Sequence, residues 1–445
     1  MNTIYNFLNN AWKEILIQNK ENFTFIPFLL LLILFPTSIA VNNICLIIFI
    51  LSSFYYIKCR KATFNYVIAL PVLLFCWMML SYFWSIAPNE TLKALPKEMS
   101  LLIIPIVFSF IPNYSSKQKE LLIKYYSYTM IIYAIYFLSR ACIRFYIHKE
   151  VAVFFYHGPQ NDIDTGLVPR LLNAIHVSVY MTVAFIYFYT KPNKRIIHKI
   201  LSFFLFFFII LLSSKNIIVI LLVMIICYSI FYSKSANKAR LINLLIITLL
   251  LGTIFSFKEI KERFLIEFTS NVEKESNEVQ SVNKISIYEA WNNDKFTDND
   301  FFPGGAFRVY QIRIFLELMN ENPVFWNGFG LNASQKKLIE KEKEHKLYSG
   351  YGSFNFHNQY VQNFSELGFI GFILLVVMMI VNLRKGFTTV NFSHISFSIL
   401  MISVFLTESF LWRQRGVNFF ILFYCFFNFI SKQKPEAERL SSTML

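Results

Sequence analysis

The stretch FSELGFIGFILLVVMMIVNL, residues 364–383, carries a single charged side chain, Glu366. A helix of about 20 apolar residues is long enough to cross the hydrocarbon core of a bilayer. In lipid the backbone polar groups must be satisfied within the segment, so such a run is helical. Its two flanks differ in kind. On the N-terminal side lies a long polar segment, 258–360, and on the C-terminal side the short basic pair Arg384-Lys385. That boundary is the signature of a membrane helix between a sizeable extramembrane loop and a short basic turn.

Comparable apolar runs fill the rest of the chain. They are read near 23–40, 41–57, 64–84, 99–111, 121–145, 171–190, 199–212, 216–232, 241–257, 391–411 and 417–430, which with 364–383 makes twelve. The fold expected is therefore all-α: a polytopic membrane protein of about twelve transmembrane helices, with a long helical periplasmic loop between the ninth and tenth. Composition agrees. Of 445 residues 56% are hydrophobic and 51 are Phe, while only 16% are charged, against about 25% in ordinary soluble domains. That apolar content excludes a disordered chain. Six Cys with no CxxC pair suggest neither a structural disulfide nor a zinc site.

Charge placement supplies the orientation. The 258–360 segment holds 15 of the 27 acidic residues and nets −2, so the rest of the chain carries the basic surplus behind the overall +15. That surplus sits in alternate short connections: Lys58/Arg60/Lys61, Lys117/Lys119, Lys191/Lys194/Arg195/Lys199, Lys234/Lys238/Arg240, Arg384/Lys385 and Lys432/Lys434. By the positive-inside rule these are cytoplasmic. They are a topology signal and no nucleic-acid footprint, so no nucleic acid is expected as a partner. Membrane lipids are. The division expected is 1–22, an N-terminal segment; 23–257, nine helices; 258–360, the outer loop; 361–430, three helices; and 431–445, a cytoplasmic tail. Lys13, Glu14, Lys20 and Glu21 argue against a signal peptide. Ile4, Phe7, Leu8, Trp12, Ile15 and Leu16 share a helical face, which reads either as an amphipathic helix on the membrane surface or as a plain lead-in to the first span.

A loop as long as 258–360 is uncommon without a function. Its first half, to about Asp300, is polar and acidic and reads as partly disordered. From Gly304 onward Phe307, Tyr310, Ile314 and Leu318 recur at helical spacing and Pro323 ends the helix. Trp326-Asn-Gly-Phe-Gly330 is turn chemistry, and 336–346 is a charged helical stretch. Polar residues that stand out on the outer side are Lys215, Arg308, Arg313, His357, Asn358, Glu408, Arg413 and Arg415. Charged groups at span ends often only snorkel to the interface. Arg413 and Arg415, however, run against the positive-inside trend. His357 lies between a charged loop and a membrane helix, flanked by Phe356 and Tyr360, where an imidazole can act as a general base. His148, His157 and His176 are its rivals. Glu408, near the outer end of its helix, is expected to pair with a neighbouring Arg, because an isolated carboxylate at that depth is costly. No HxH or HExxH spacing argues for a metal.

Five features in this order resemble one family. They are Arg308 opening an amphipathic helix, Asn322-Pro323, Gly328-Phe329-Gly330, His357-Asn358-x-Tyr360, and Glu366-Leu-Gly-Phe-Ile-Gly371. Together they resemble the bacterial O-antigen ligase superfamily, which also holds O-antigen polymerases and some protein O-oligosaccharyltransferases. Ser213-Ser214-Lys215 looks like that family's outer Ser-Arg turn, with Lys in place of Arg. The resemblance implies metal-independent, inverting transfer of a glycan from an undecaprenyl-diphosphate carrier, without cofactor, at the periplasmic face of the inner membrane. The ligase branch delivers it to the lipid A core in lipopolysaccharide biosynthesis; the polymerase branch delivers it to another carrier-linked repeat unit. On this reading His357 is the catalytic base and Arg308, Lys215, Arg413 and Arg415 bind the diphosphate. Asn358, Tyr360 and Glu408 orient the base or hold the acceptor. A flippase for lipid-linked oligosaccharide is the alternative of a different class, but no internal repeat of the kind transporters show is visible.

Overall fold

The computed structural model describes residues 2–57, 61–62, 65–155, 166–192, 195–212, 214–233, 252 and 283–429. Nearly all of the ninth expected span, the acidic half of the outer loop to residue 282, Ser213, His157 and the tail after residue 429 lie outside them. The described residues are helical with almost no strand. In chain order the α-helices are α1 (Asn2–Glu21), α2 (Phe25–Ile33), α3 (Ile39–Ile57), α4 (Tyr66–Leu80), α5 (Pro88–Glu98), α6 (Ser100–Phe110), α7 (Ser116–His148), α8 (Ala174–Thr190), α9 (Ile196–Leu211), α10 (Lys215–Cys227), α11 (Ile287–Asn292), α12 (Gly304–Glu321), α13 (Ser334–Glu344), α14 (Gln359–Thr388), α15 (Phe392–Thr407) and α16 (Gln414–Asn428). One two-residue parallel pairing joins Asn283–Lys284 to Asp300–Phe301.

Among the described residues five helical stretches are long and apolar enough to cross a membrane: Ile39–Ile57, Tyr66–Phe83, Ser116–His148, Lys215–Tyr232 and Gln359–Thr388. Helices α8, α9 and α15 are shorter apolar helices. The run expected at 23–40 forms a helix only over Phe25–Ile33. There the chain turns, with the Thr37 hydroxyl donating to Leu34 O at 2.6 Å and Asn42 reaching back to the same carbonyl at 3.1 Å. The run at 99–111 is a helix of 11 residues. By contrast α7 has 33 residues, roughly 50 Å at 1.5 Å per residue, so it outruns the hydrocarbon core. A capping box between Ser115 and Gln118 starts it five residues before the apolar run does.

The centre of the bundle is α16. From Val417 to Cys425 its side chains are almost wholly out of solvent, Phe419, Phe420, Phe423 and Tyr424 among them. A helix apolar on every side belongs in the middle of a packed body. Phe397 and Phe405 of α15, Phe28 and Phe35 near α2, and Tyr180 of α8 stack around it.

Contacts at the two ends of the bundle sort the turns. At one end Lys119 donates to Phe429 O at 3.0 Å, Lys385 donates to Asn428 O, and Asn22 donates to Pro112 O at 3.4 Å. At the other end Arg415 reaches the 35–37 turn, Asn216 reaches Thr407, and Trp84 reaches Asn327. Lys119 and Lys385, from two of the basic connections expected inside, thus meet at one end, and the 283–358 module sits at the other. In α1 the Trp12, Leu16 and Ile17 side chains are exposed, while Glu14 ties the helix down through Lys124 at 3.0 Å and the Tyr125 hydroxyl at 2.7 Å. In a cysteine-free background, Lys343→Cys is expected to react with a membrane-impermeant maleimide added to cells, and Arg384→Cys only after permeabilisation. The reverse pattern would contradict the orientation expected from the basic turns.

The outer module has its own core. Phe307, Tyr310, Ile314 and Leu318, the residues read at helical spacing, are buried together with Phe296, Phe302, Leu338 and Phe356. It is joined to the membrane body at a break in α14. Gly368 has φ +66° and ψ −167°, and around it the helix's own hydrogen bonds are replaced. Ser365 O and Glu366 O accept from Phe329 N and Gly330 N at 2.9 and 2.8 Å, and Phe369 N donates to Phe325 O at 2.8 Å. Trp77 Nε1 donates to Leu367 O at 2.8 Å. The 325–330 loop thus lies along the broken helix and satisfies backbone groups that would otherwise be orphaned in an apolar setting.

Candidate active site

Just after Gly304, Arg308 sits one turn into α12, half-buried. Its Nε donates to Thr407 O at 3.0 Å and its Nη1 to Gly304 O at 3.0 Å. Thr407 is the last residue of α15, where the carbonyls have no partner within the helix and the helix dipole is negative, so a guanidinium fits there. The Thr407 hydroxyl accepts from Asn216 Nδ2 at 2.7 Å, and that amide also donates to Ser403 O at 2.7 Å. Asn216 follows Lys215, the residue that opens α10. One helix end therefore brings Arg308 together with Asn216, the residue after Lys215.

The next residue, Glu408, is buried and its Oε2 lies 3.5 Å from His357 Nδ1. Burial by itself pushes this carboxyl upward. The hydrogen bond from His357 and the positive charge of Arg308 act against it and hold Glu408 below its ordinary value. The residue is an anion at neutral pH. The expected Arg partner is corrected here: the side chain in contact with Glu408 is His357, because Arg308 is engaged by carbonyls beside it.

His357 has φ +47°, an uncommon conformation for a residue with a side chain. Two local contacts support it. The Asn355 side chain accepts from His357 N at 3.0 Å, and Asn358 caps α14 by accepting from Tyr360 N at 3.0 Å and Val361 N at 3.2 Å. Asn358 thus acts on His357 through the backbone. Tyr360 donates to Ile402 O at 3.4 Å and is half-buried. Of the remaining expected residues, Arg413 is exposed beside Glu408's turn. Arg415 is buried, donating to Phe35 O at 3.2 Å and Thr37 O at 2.5 Å. It is committed to closing the α2–α3 turn. Arg313 is likewise engaged elsewhere, with Glu317 at 2.7 Å and Asp294 at 3.0 Å. Of the rival histidines, His148 is exposed at the end of α7. His176 is fully buried, stacked on Phe410 at 4.2 Å, with no hydrogen-bond partner for either ring nitrogen among the described residues.

Sequence reasoning passed over a polar stripe at the start of α14. Gln359, Gln362, Asn363 and Glu366 fall at i, i+3, i+4 and i+7, all buried. Gln362 Oε1 accepts from Phe356 N at 3.1 Å and from the Ser409 hydroxyl at 3.4 Å, while its Nε2 donates to Glu366 Oε1 at 2.6 Å. Gln359 Oε1 accepts from Leu411 N at 2.7 Å. Phe356 and Ser409 are the neighbours of His357 and Glu408, so one amide clips together the two segments that carry the pair. Gln362→Leu removes these bonds while keeping approximate volume. Because misplacing a reacting group by about 1 Å can cost about 10²-fold in rate, the variant is expected to insert normally, bind donor, and lose about that factor in turnover, read in a transfer assay alongside donor binding.

A comparison with curated proteins found no match. Residues 200–376 match the family model described as Wzy_C, O-antigen ligase, a stretch that runs from α9 through Lys215, Arg308 and His357 to the broken part of α14. Over that stretch the chain is similar to the O-antigen ligase family.

Proposed function

We propose that the protein is an inverting glycan transferase of the bacterial inner membrane. It takes polysaccharide from an undecaprenyl-diphosphate carrier on the periplasmic side and joins it to the lipid A core. The observation that carries this reading is the contact of His357 Nδ1 with the buried Glu408 carboxylate, next to the carbonyl that holds Arg308. A carboxylate on Nδ1 keeps the proton on that nitrogen and leaves Nε2 as the acceptor, and it stabilises the imidazolium that forms. In the reaction the acceptor hydroxyl oxygen attacks the anomeric carbon as the bond from that carbon to the carrier diphosphate breaks. His357 takes the hydroxyl proton, and the diphosphate leaves with the bonding electron pair. A single displacement of this kind inverts the anomeric centre. Arg308 and Lys215 offset the charge of the leaving diphosphate, Arg308 by the fork geometry suited to phosphate and Lys215 as a point charge. Arg413, exposed on the same turn as Glu408, is a third cation proposed for the region.

Deleting the gene and running the surface polysaccharide on a gel tests the assignment. Loss of long chains from lipid A with carrier-linked polymer accumulating is the expected result. A surface carrying single repeat units would instead make the protein the polymerase of the same superfamily. Loss of the surface glycan altogether, with carrier-linked units trapped inside, would make it a flippase.

A further inference from the structure

Two kinds of group meet at His357. Glu408 Oε2 lies 3.5 Å from its Nδ1, and two aromatic rings flank the imidazole, Phe307 at 5.7 Å and Phe354 at 6.0 Å. Phe307 is buried, packed on Phe354 at 5.7 Å and on Tyr351 at 5.4 Å. Phe354 is 48% exposed. A single exposed ring is ordinary on a protein surface; what distinguishes Phe354 is its place 6.0 Å from the His357 ring.

The turn that carries Phe354 is held firmly. Gln335 Nε2 donates to Gly352 O and, at 3.4 Å, to Phe354 O. Glu342 Oε2 accepts from Gly350 N at 3.0 Å and from Gly352 N, and the Ser353 hydroxyl donates to Gly350 O at 2.6 Å. Gly352 is pressed against α13 so closely that a Cβ there would lie 2.9 Å from Leu338 O and from Ile339 Cα. The ring is therefore presented on a fixed support, with Phe307 and Tyr351 behind it.

We propose that Phe354 is the stacking platform for the acceptor sugar. It packs against the apolar C–H face of the ring whose hydroxyl His357 deprotonates, and so divides the site into a cationic donor side and an aromatic acceptor side. Sugar rings present slightly positive C–H groups on one face, which suit the negative face of an aromatic ring. Aromatic walls with a few polar groups are the usual lining of small-molecule sites. This rests on the transferase reading above.

The test separates the two. Purified wild-type protein and the variants F354A, F354L and F354W are titrated by calorimetry with the lipid-free acceptor oligosaccharide, and in parallel assayed for transfer. F354A and F354L are expected to weaken oligosaccharide binding about 10-fold. F354W should bind within about threefold of wild type, and carrier-linked donor should bind all four alike. Raised acceptor KM with little change in kcat is the matching kinetic result. Equal oligosaccharide affinity in wild type and F354A would overturn the platform whatever the transfer assay gives. So would full binding by F354L, which makes the contact merely apolar, as expected of a ring facing lipid. Aromatic-dependent oligosaccharide binding in a wild type that transfers nothing would sink the transferase reading and leave the platform standing.

Discussion

His357→Gln is expected to lower transfer by about 10²–10⁴-fold, the range typical of general-base assistance, while carrier-linked donor still binds. A hydroxyl is a weak nucleophile, and the barrier falls when its proton is removed as the new bond forms. Glutamine keeps approximate size and hydrogen bonding but cannot take that proton. The local structure tolerates the exchange, because the backbone at 357 is supported by Asn355 and Asn358. Glu408, deprived of its imidazole partner, remains near Arg308. Binding and turnover measured separately distinguish the possible roles of the residue. Normal turnover would reduce His357 to a positioning group and move the proton to another acceptor. Loss of donor binding would assign it to the diphosphate site.

Gly368→Ala is expected to abolish folded protein. The conformation at Gly368 falls in a region occupied almost only by glycine, and strain of this kind costs roughly 1–3 kcal/mol. The contact is worse: a Cβ would stand 2.3 Å from the backbone of Trp326 and Asn327. Relieving it means pushing away the 325–330 loop, which strips Ser365 O, Glu366 O and Phe369 N of their partners. Each buried polar group left alone costs roughly 1–3 kcal/mol, against a total stability of about 5–15 kcal/mol for a typical fold. Gly328→Ala should behave the same way, since its Cβ would meet Glu366 C at 2.4 Å from the other side. Gly350→Ala is the control, with φ +114° but nothing within 4 Å of the new atom. Fluorescence-detected size-exclusion chromatography of the three variants should show a normal peak for Gly350→Ala and aggregate or nothing for the others. A normal peak for Gly368→Ala would mean that the loop and helix part without penalty.

Much of this was visible in the chain before its fold. Apolar runs located the five helical stretches long and apolar enough to cross a membrane, and Phe307, Tyr310, Ile314 and Leu318 pointed to the buried face of α12. The order from Arg308 through His357 to Gly371 marked the region the family model matches. What hydropathy could not show is where a continuous apolar run turns: 23–40 reads as one span, yet polar contacts at Thr37 and Asn42 break it. The glycines at 328 and 368 were legible as a motif but not as a reason, because each is needed only when the other segment lies against it. Glu408 was read with the wrong partner for the same cause. Its neighbour is decided by where the turn before α14 places His357, 51 residues away in the chain. The stripe from Gln359 to Glu366 is the opposite case. Its helical spacing in an apolar run was a readable sign of a buried polar network, obscured by attention to His357 next to it.

The most direct measurement of the central claim is the anomeric outcome of one turnover. Purified protein in nanodiscs would be given undecaprenyl-diphosphate-linked glycan of known anomeric configuration, with acceptor, and the new linkage examined by NMR. A single displacement assisted by His357 predicts product of opposite configuration, formed with release of carrier diphosphate. Product of retained configuration would require a covalent glycosyl-enzyme and a nucleophile that the His357–Glu408 pair does not supply, and would contradict the account.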